Sequence, residues 1–218
     1  MPKTHGRREA SVRRGSIERI SREGSGTAAM IDLCDVVFVC VDIQERPRVY
    51  WTPERIASAF HDCGEFGEPE LDAAVDHFFD VMLPNAVKAA EWAADNAVPR
   101  IFVHWSTVQG NDEPRPNSAF TIRAGDFVVS KTEMDAFTSS DIAEILKRIG
   151  RRTLLFIGGH TRGCLGETAK SALAAGFRCI AVRDATYDVS ILRWPLGLAE
   201  VPYTAVIDTR ELLSIRGD

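Results

Sequence analysis

The sequence predicts an α/β protein: a single doubly wound domain with a mostly parallel sheet flanked by helices. Three observations predict it. Six short apolar runs punctuate the chain, helical patterns lie between them, and Pro/Gly/Asp-rich stretches follow two of the runs. Alternation of this kind is the signature of βαβ units, whose strands are covered on both faces and read as continuously apolar.

The runs are VVFVCV (36–41), RIFVHW (100–105), FVVSK (127–131), TLLFIGG (153–159), RCIAVRD (178–184) and YTAVID (203–208). Leu71, Val75, Phe78, Phe79 and Met82 recur at the helical period. Pro84 then starts or kinks a second helix through Ala97. Ile142, Ile145, Leu146 and Ile149 form another stripe, with Thr138 and Asp141 as caps and Gly150 as the stop. A further helix runs from about Cys164 to Gly176, burying Leu165, Ala169, Ala172 and Leu173. No repeat or internal boundary interrupts the series.

Composition narrows the class. At 218 residues with 45% hydrophobic and 26% charged positions, the chain can bury a core without covalent help. Its five cysteines (34, 40, 63, 164, 179) are odd in number and form no CxxC pair. Neither a disulfide framework nor a zinc knuckle is indicated, and a reducing cytoplasm is the expected location. Residues 1–29 read as a basic, disordered tail, and residues 30–218 as the folded domain. The first 26 residues carry a balance of +4, leaving −9 on the remainder. An acidic body argues against a nucleic-acid surface. No run approaches the roughly 18 apolar residues of a membrane span.

Three polar residues stand where apolar strands end. Asp42 closes the first run, Lys131 closes the third, and Cys164 follows the fourth after a short loop. In a parallel sheet they would project from one edge, where such folds bind ligands. The Pro/Gly/Asp-rich stretches 44–69 and 106–125 would wall that edge. A thiol becomes a nucleophile on ionising, and both a helix start and a nearby ammonium lower its pKa. Asp42 could take the proton, with Lys131 holding the pair in place. The loop GGHTRG could supply backbone N–H groups for an oxyanion. Cys34, Cys40, Cys63 and Cys179 read as small core residues. Trp105 and Phe137 are candidate substrate-pocket walls, His104 a structural hydrogen-bonder, and Trp51 and Trp194 loop residues.

VFVCVDIQ, VVSKTEMDAF and LLFIGGHTRGCLGETAKSALAAGFRCIAVRDATYD, in this order and spacing, resemble the isochorismatase-like cysteine hydrolases over about residues 36–188. The resemblance implies a six-stranded parallel sheet and a homo-oligomer. It implies an Asp–Lys–Cys triad, matched by Asp42, Lys131 and Cys164. It also implies an oxyanion hole from the N–H groups of Cys164 and His160, with a cis peptide at Gly159–His160. The implied reaction is hydrolysis of a small carboxamide or carbamoyl-type amide through a thioester, without a cofactor. Members of the family that bind a metal use an Asp-x-His and a second His. Here His104 has no such spacing, and His61 and His77 stand apart, so no metal site is expected. Gly159 and His160 depart from the usual pattern, as does the ERPRVYW stretch after Gln44.

Two other readings stay open. A catalytically inactive scaffold would keep the fold without the chemistry. A nucleotide-binding module would use the glycine loop before the Cys164 helix and Asp184 at the next strand end. The GxGxxG pattern fails there, because His160 occupies the second glycine position, where backbone must approach pyrophosphate.

Overall fold

A computed structural model describes residues 31–45, 52, 54, 68–106 and 115–216. The basic tail, Trp51, His61 and Cys63 lie outside the described residues, as does most of the ERPRVYW stretch.

Six strands form one sheet: β1 (Val36–Val41), β2 (Arg100–Trp105), β3 (Phe127–Lys131), β4 (Thr153–Gly159), β5 (Arg178–Tyr187) and β6 (Ala205–Ile207). Their order is β3-β2-β1-β4-β5-β6, and every neighbouring pair is parallel. The doubly wound expectation holds, and the sheet is parallel throughout. The chain's direction of travel across the sheet reverses between β1 and β4. That is the switch point beyond which such sheets bind ligands.

The helices are α1 (Glu68–Asp76), α2 (Leu83–Asp95), α3 (Ala136–Ser139), α4 (Ile142–Ile149), α5 (Cys164–Ala174), α6 (Arg193–Glu200) and α7 (Thr209–Ser214). Strand periodicity splits the core between two layers. Phe38, Cys40, Phe102, Leu155 and Ile157 face α2, with Met82, Ala86, Ala89 and Ala93 opposite. Val37, Val39, Val41, Val103 and Phe156 face α4 and α5, with Ile145, Leu146, Leu165 and Ala169 opposite.

Several local expectations change. Residues His77–Met82 form a π turn that runs without a break into α2, where Pro84 sits in the first turn. Proline has no N–H to donate backwards, so a change of ladder just before it costs little. The helix ends at Asp95, not Ala97. Thr138 lies inside α3, whose N-cap is Asp135, and Asp141 makes no side-chain cap on α4. Gly150 does end α4, in the left-handed conformation. Trp194 is in α6, not a loop; its Nε1–H donates to Thr186 Oγ1 at 2.8 Å.

β5 runs three residues past the expected Asp184. Its register against β4 jumps from Phe156↔Ala181 to Gly158↔Thr186. The charged Arg183–Asp184 pair bulges out there, and Thr186 and Tyr187 resume the ladder. Gly158 shows how tightly β4 meets β1. Its φ is +102°, and a Cβ there would fall 2.0 Å from the Val41 carbonyl oxygen. Gly158→Ala is therefore expected to destabilise the fold by about 2–5 kcal/mol, combining backbone strain with overpacking. A urea midpoint equal to the wild type would contradict this.

Candidate active site

Asp42 leaves the sheet immediately after β1 with φ +54°. Aspartate tolerates this left-handed conformation better than most residues. Its N–H donates to Val103 O at 2.8 Å, and its carbonyl accepts from the Tyr187 hydroxyl at 2.8 Å. Thus held, the carboxylate turns to Lys131, with Nζ 2.9 Å from Oδ2. Lys131 is wholly buried and Asp42 12% exposed, so the pair sits largely out of water. The ammonium also donates to Glu133 O at 3.3 Å and lies 4.1 Å from the Trp105 ring centroid. Asp42 Oδ1 has no hydrogen-bond partner among the described residues.

Cys164 is the first residue of α5 and packs beside the core layer of Val129 and Phe127 on β3. As such its N–H has no acceptor within the helix. Both charges of the ion pair act on its thiol, by Coulomb interaction and by hydrogen-bonding proximity. The sign is opposite to the sequence-based expectation. Burial pushes the thiol up to about 12, the Asp42 carboxylate adds to this, and Lys131 only partly opposes them. Helix start and ammonium do not win, because desolvation of a thiolate outweighs them.

The Gly159–His160 peptide is cis. The His160–Gly163 loop that follows is tied down at several points. Thr161 N–H donates to Tyr187 O at 3.0 Å, and Thr161 Oγ1 to Asp188 Oδ2 at 2.9 Å. Arg162 N–H donates to the same Asp188 oxygen at 2.9 Å. Gly197 of α6 comes so close that a Cβ would meet Thr161 backbone at 2.6 Å.

Trp105 thus belongs to the cluster through Lys131. Gln44, itself buried, clamps the Trp105 backbone with both ends of its amide: Nε2 donates to the carbonyl at 3.2 Å and Oε1 accepts from the N–H at 3.1 Å. The ring contact found for Phe137 is with Phe177, at 6.2 Å, and it packs on the core beside α5. His104 makes the structural hydrogen bond expected of it, Nε2 to Ser130 Oγ at 3.0 Å, while Nδ1 has no partner among the described residues. Burial lowers its pKa; Asp42 counteracts and Lys131 reinforces this. Sequence reasoning missed Tyr187 and Asp188. The available signal is the rule that singles out Asp42, a polar residue just past an apolar strand, obscured here because Arg183–Asp184 reads as the end of β5.

Among the described residues no group of three or more His, Cys, Asp or Glu side chains could hold a metal ion. Nor is any helix among them long and apolar enough to cross a membrane. A shallow concavity of about 450 Å³ lined by Pro99, Arg100, Arg123, Asp126 and neighbours sits away from this cluster, by the first residues of β2 and β3. Arg100 is already committed there: it forms a buried pair with Asp126 and donates to Ala90 O and Thr121 O.

A parallel α/β sheet with a carboxylate, an ammonium and a thiol gathered at its switch point is the class defined so far. The chain belongs to the isochorismatase family: the model of the isochorismatase domain matches residues 37–211. Maleamate amidohydrolase of Pseudomonas putida is 35% identical over 81 residues, 37% of this chain and 38% of that protein. The match thus spans well under half of that relative. Among solved structures, a cysteine hydrolase from Pseudomonas syringae pv. phaseolicola superposes with a TM-score of 0.64 at 16% identity, covering 85% of this chain and 96% of the other. N-carbamoylsarcosine amidase from Thermoplasma acidophilum gives 0.59 at 22%, covering 80% and 96%. At these identities the likeness is one of fold.

Proposed function

We propose that this protein is an amidohydrolase, a cysteine hydrolase that cleaves a small carboxamide or carbamoyl-type C–N bond through a thioester. The observation that carries the reading is the buried Asp42–Lys131 pair, 2.9 Å apart, acting on the thiol of Cys164. Asp42 is the proton acceptor for the attacking thiol. As the Cys164 sulfur bonds to the carbonyl carbon, its proton passes to Asp42. The developing oxyanion is held by the N–H groups of Cys164 and His160. Collapse breaks the C–N bond, and Asp42 returns the proton to the departing ammonia or amine. Water then adds to the thioester with Asp42 again as base. The S–C bond breaks, releasing the acid and the thiol.

Lys131 keeps Asp42 aimed by its Oδ2, leaving Oδ1 to handle the proton. Trp105 shields the ammonium from solvent and forms one wall; Phe137 is proposed as the other. The described cysteines are all free thiols, which suits a cytoplasmic enzyme. A homo-oligomer is part of the same proposal.

The test is ammonia release from a panel of small amides led by maleamate and N-carbamoylsarcosine. Cys164→Ala should reduce turnover to background, about 10³-fold or more below wild type, since the thioester forms on its sulfur. Activity that survives Cys164→Ala, or a wild type inert on every amide, would sink the reading in favour of a scaffold.

A further inference from the structure

Tyr187 touches both halves of the site. It ends β5, is 4% exposed, and its hydroxyl donates to the Asp42 carbonyl at 2.8 Å. Its own carbonyl accepts the Thr161 N–H at 3.0 Å. Its ring stands edge-on to the His160 imidazole, with centroids 5.0 Å apart and planes at 85°. Phe78 braces the ring at 4.9 Å. The volume the ring fills is the one a side chain on Gly159 would need: a Cβ there would fall 2.7 Å from Tyr187 Cε1. So glycine at 159 and tyrosine at 187 are two parts of one fit. Through that fit the Asp42 turn and the His160 loop share an anchor.

Asp42 is where the anchor matters. Asp42 adopts φ +54°, a conformation its backbone partners help to hold. Val103 holds its N–H and Tyr187 its carbonyl. Between them they set the direction in which the carboxylate leaves the chain. Resting on the function proposed above, we infer that Tyr187 is a positioning residue of this enzyme. It aims the Asp42 carboxylate at the Cys164 thiol and seats the His160 peptide, without itself touching substrate.

Tyr187→Phe removes one oxygen and keeps the ring that packs on Gly159, His160 and Phe78, so the fold is retained. With the amide on which the wild type is most active as probe, kcat should fall about five- to tenfold, the equivalent of one hydrogen bond, with KM unchanged. A second readout needs no substrate: the pH midpoint of Cys164 alkylation by iodoacetamide, followed peptide by peptide. The Asp42 carboxylate is one of the groups that raise this thiol to about 12. A carboxylate less firmly aimed raises it less, so the midpoint should move down, part of the way towards that of Asp42→Asn. A merely structural tyrosine would lower the melting temperature and leave the midpoint alone. An unmoved midpoint, or a wild-type kcat, overturns the inference. Should the wild type prove inert on every amide, the functional reading falls, and the midpoint alone still decides whether Tyr187 aims Asp42.

Discussion

Asp42→Asn is expected to make the Cys164 thiol easier to ionise and the enzyme nearly inactive. The two effects have one source. Asparagine is close in shape to aspartate but carries no charge and accepts no proton. The carboxylate is one of the groups that hold the thiol up at about 12, while Lys131 pulls it down. Taking away the first leaves the second, and the thiolate becomes the natural counter-ion for the buried ammonium. The alkylation midpoint should therefore fall, and labelling at a fixed neutral pH should quicken. Amide hydrolysis should move the other way, by about 10²- to 10⁴-fold, the usual weight of a general base. Proton delivery to the leaving nitrogen would also be lost, so the fall belongs in kcat rather than KM. A variant that keeps its turnover would remove Asp42 from the mechanism. One whose midpoint rises would show that the carboxylate does not face the thiol.

That opposition of signs also marks what could and could not be read from the chain. The first four strands were legible to the residue, because Val36–Val41, Arg100–Trp105, Phe127–Lys131 and Thr153–Gly159 are apolar runs ended by polar or glycine-rich segments. Once β1, β3 and β4 are parallel strands of one sheet, Asp42, Lys131 and Cys164 must emerge at one edge. Their convergence was legible for the same reason. The sign of the thiol's shift was not. It depends on how deeply the helix start is buried and on which charge stands nearer, and neither is a property of residue type. β5 was truncated because Arg183–Asp184 looks like a strand end, whereas the chain bulges there and returns to the ladder at Thr186. α3, α6 and α7 were missed because they are short, and Pro195 and Gly197 in α6 oppose a helical reading. Past the end of β5 lies Asp188, and in α6 the close seat of Gly197 on Thr161; both tie down the His160 loop.

Lys131→Met should be the most destabilising change in the site. Lys131 is wholly buried, and its Nζ lies 2.9 Å from Asp42 Oδ2. Methionine fills nearly the same volume, so the packing against Trp105 survives and the electrostatic loss is isolated. Asp42 would lose its ammonium partner in a setting only 12% exposed. Breaking a buried pair from one side costs about 3–5 kcal/mol, well beyond the value of the pair itself. Urea unfolding at pH 7 should show this deficit. The thiol midpoint should rise, since the ammonium is the group that favours thiolate, opposite to its movement in Asp42→Asn. Combining the two substitutions should recover most of the stability, because neither charge is then left alone, while hydrolysis stays at background. Full stability in Lys131→Met alone would mean that Asp42 finds another partner or is already protonated, and either outcome would remove the ion pair from the mechanism.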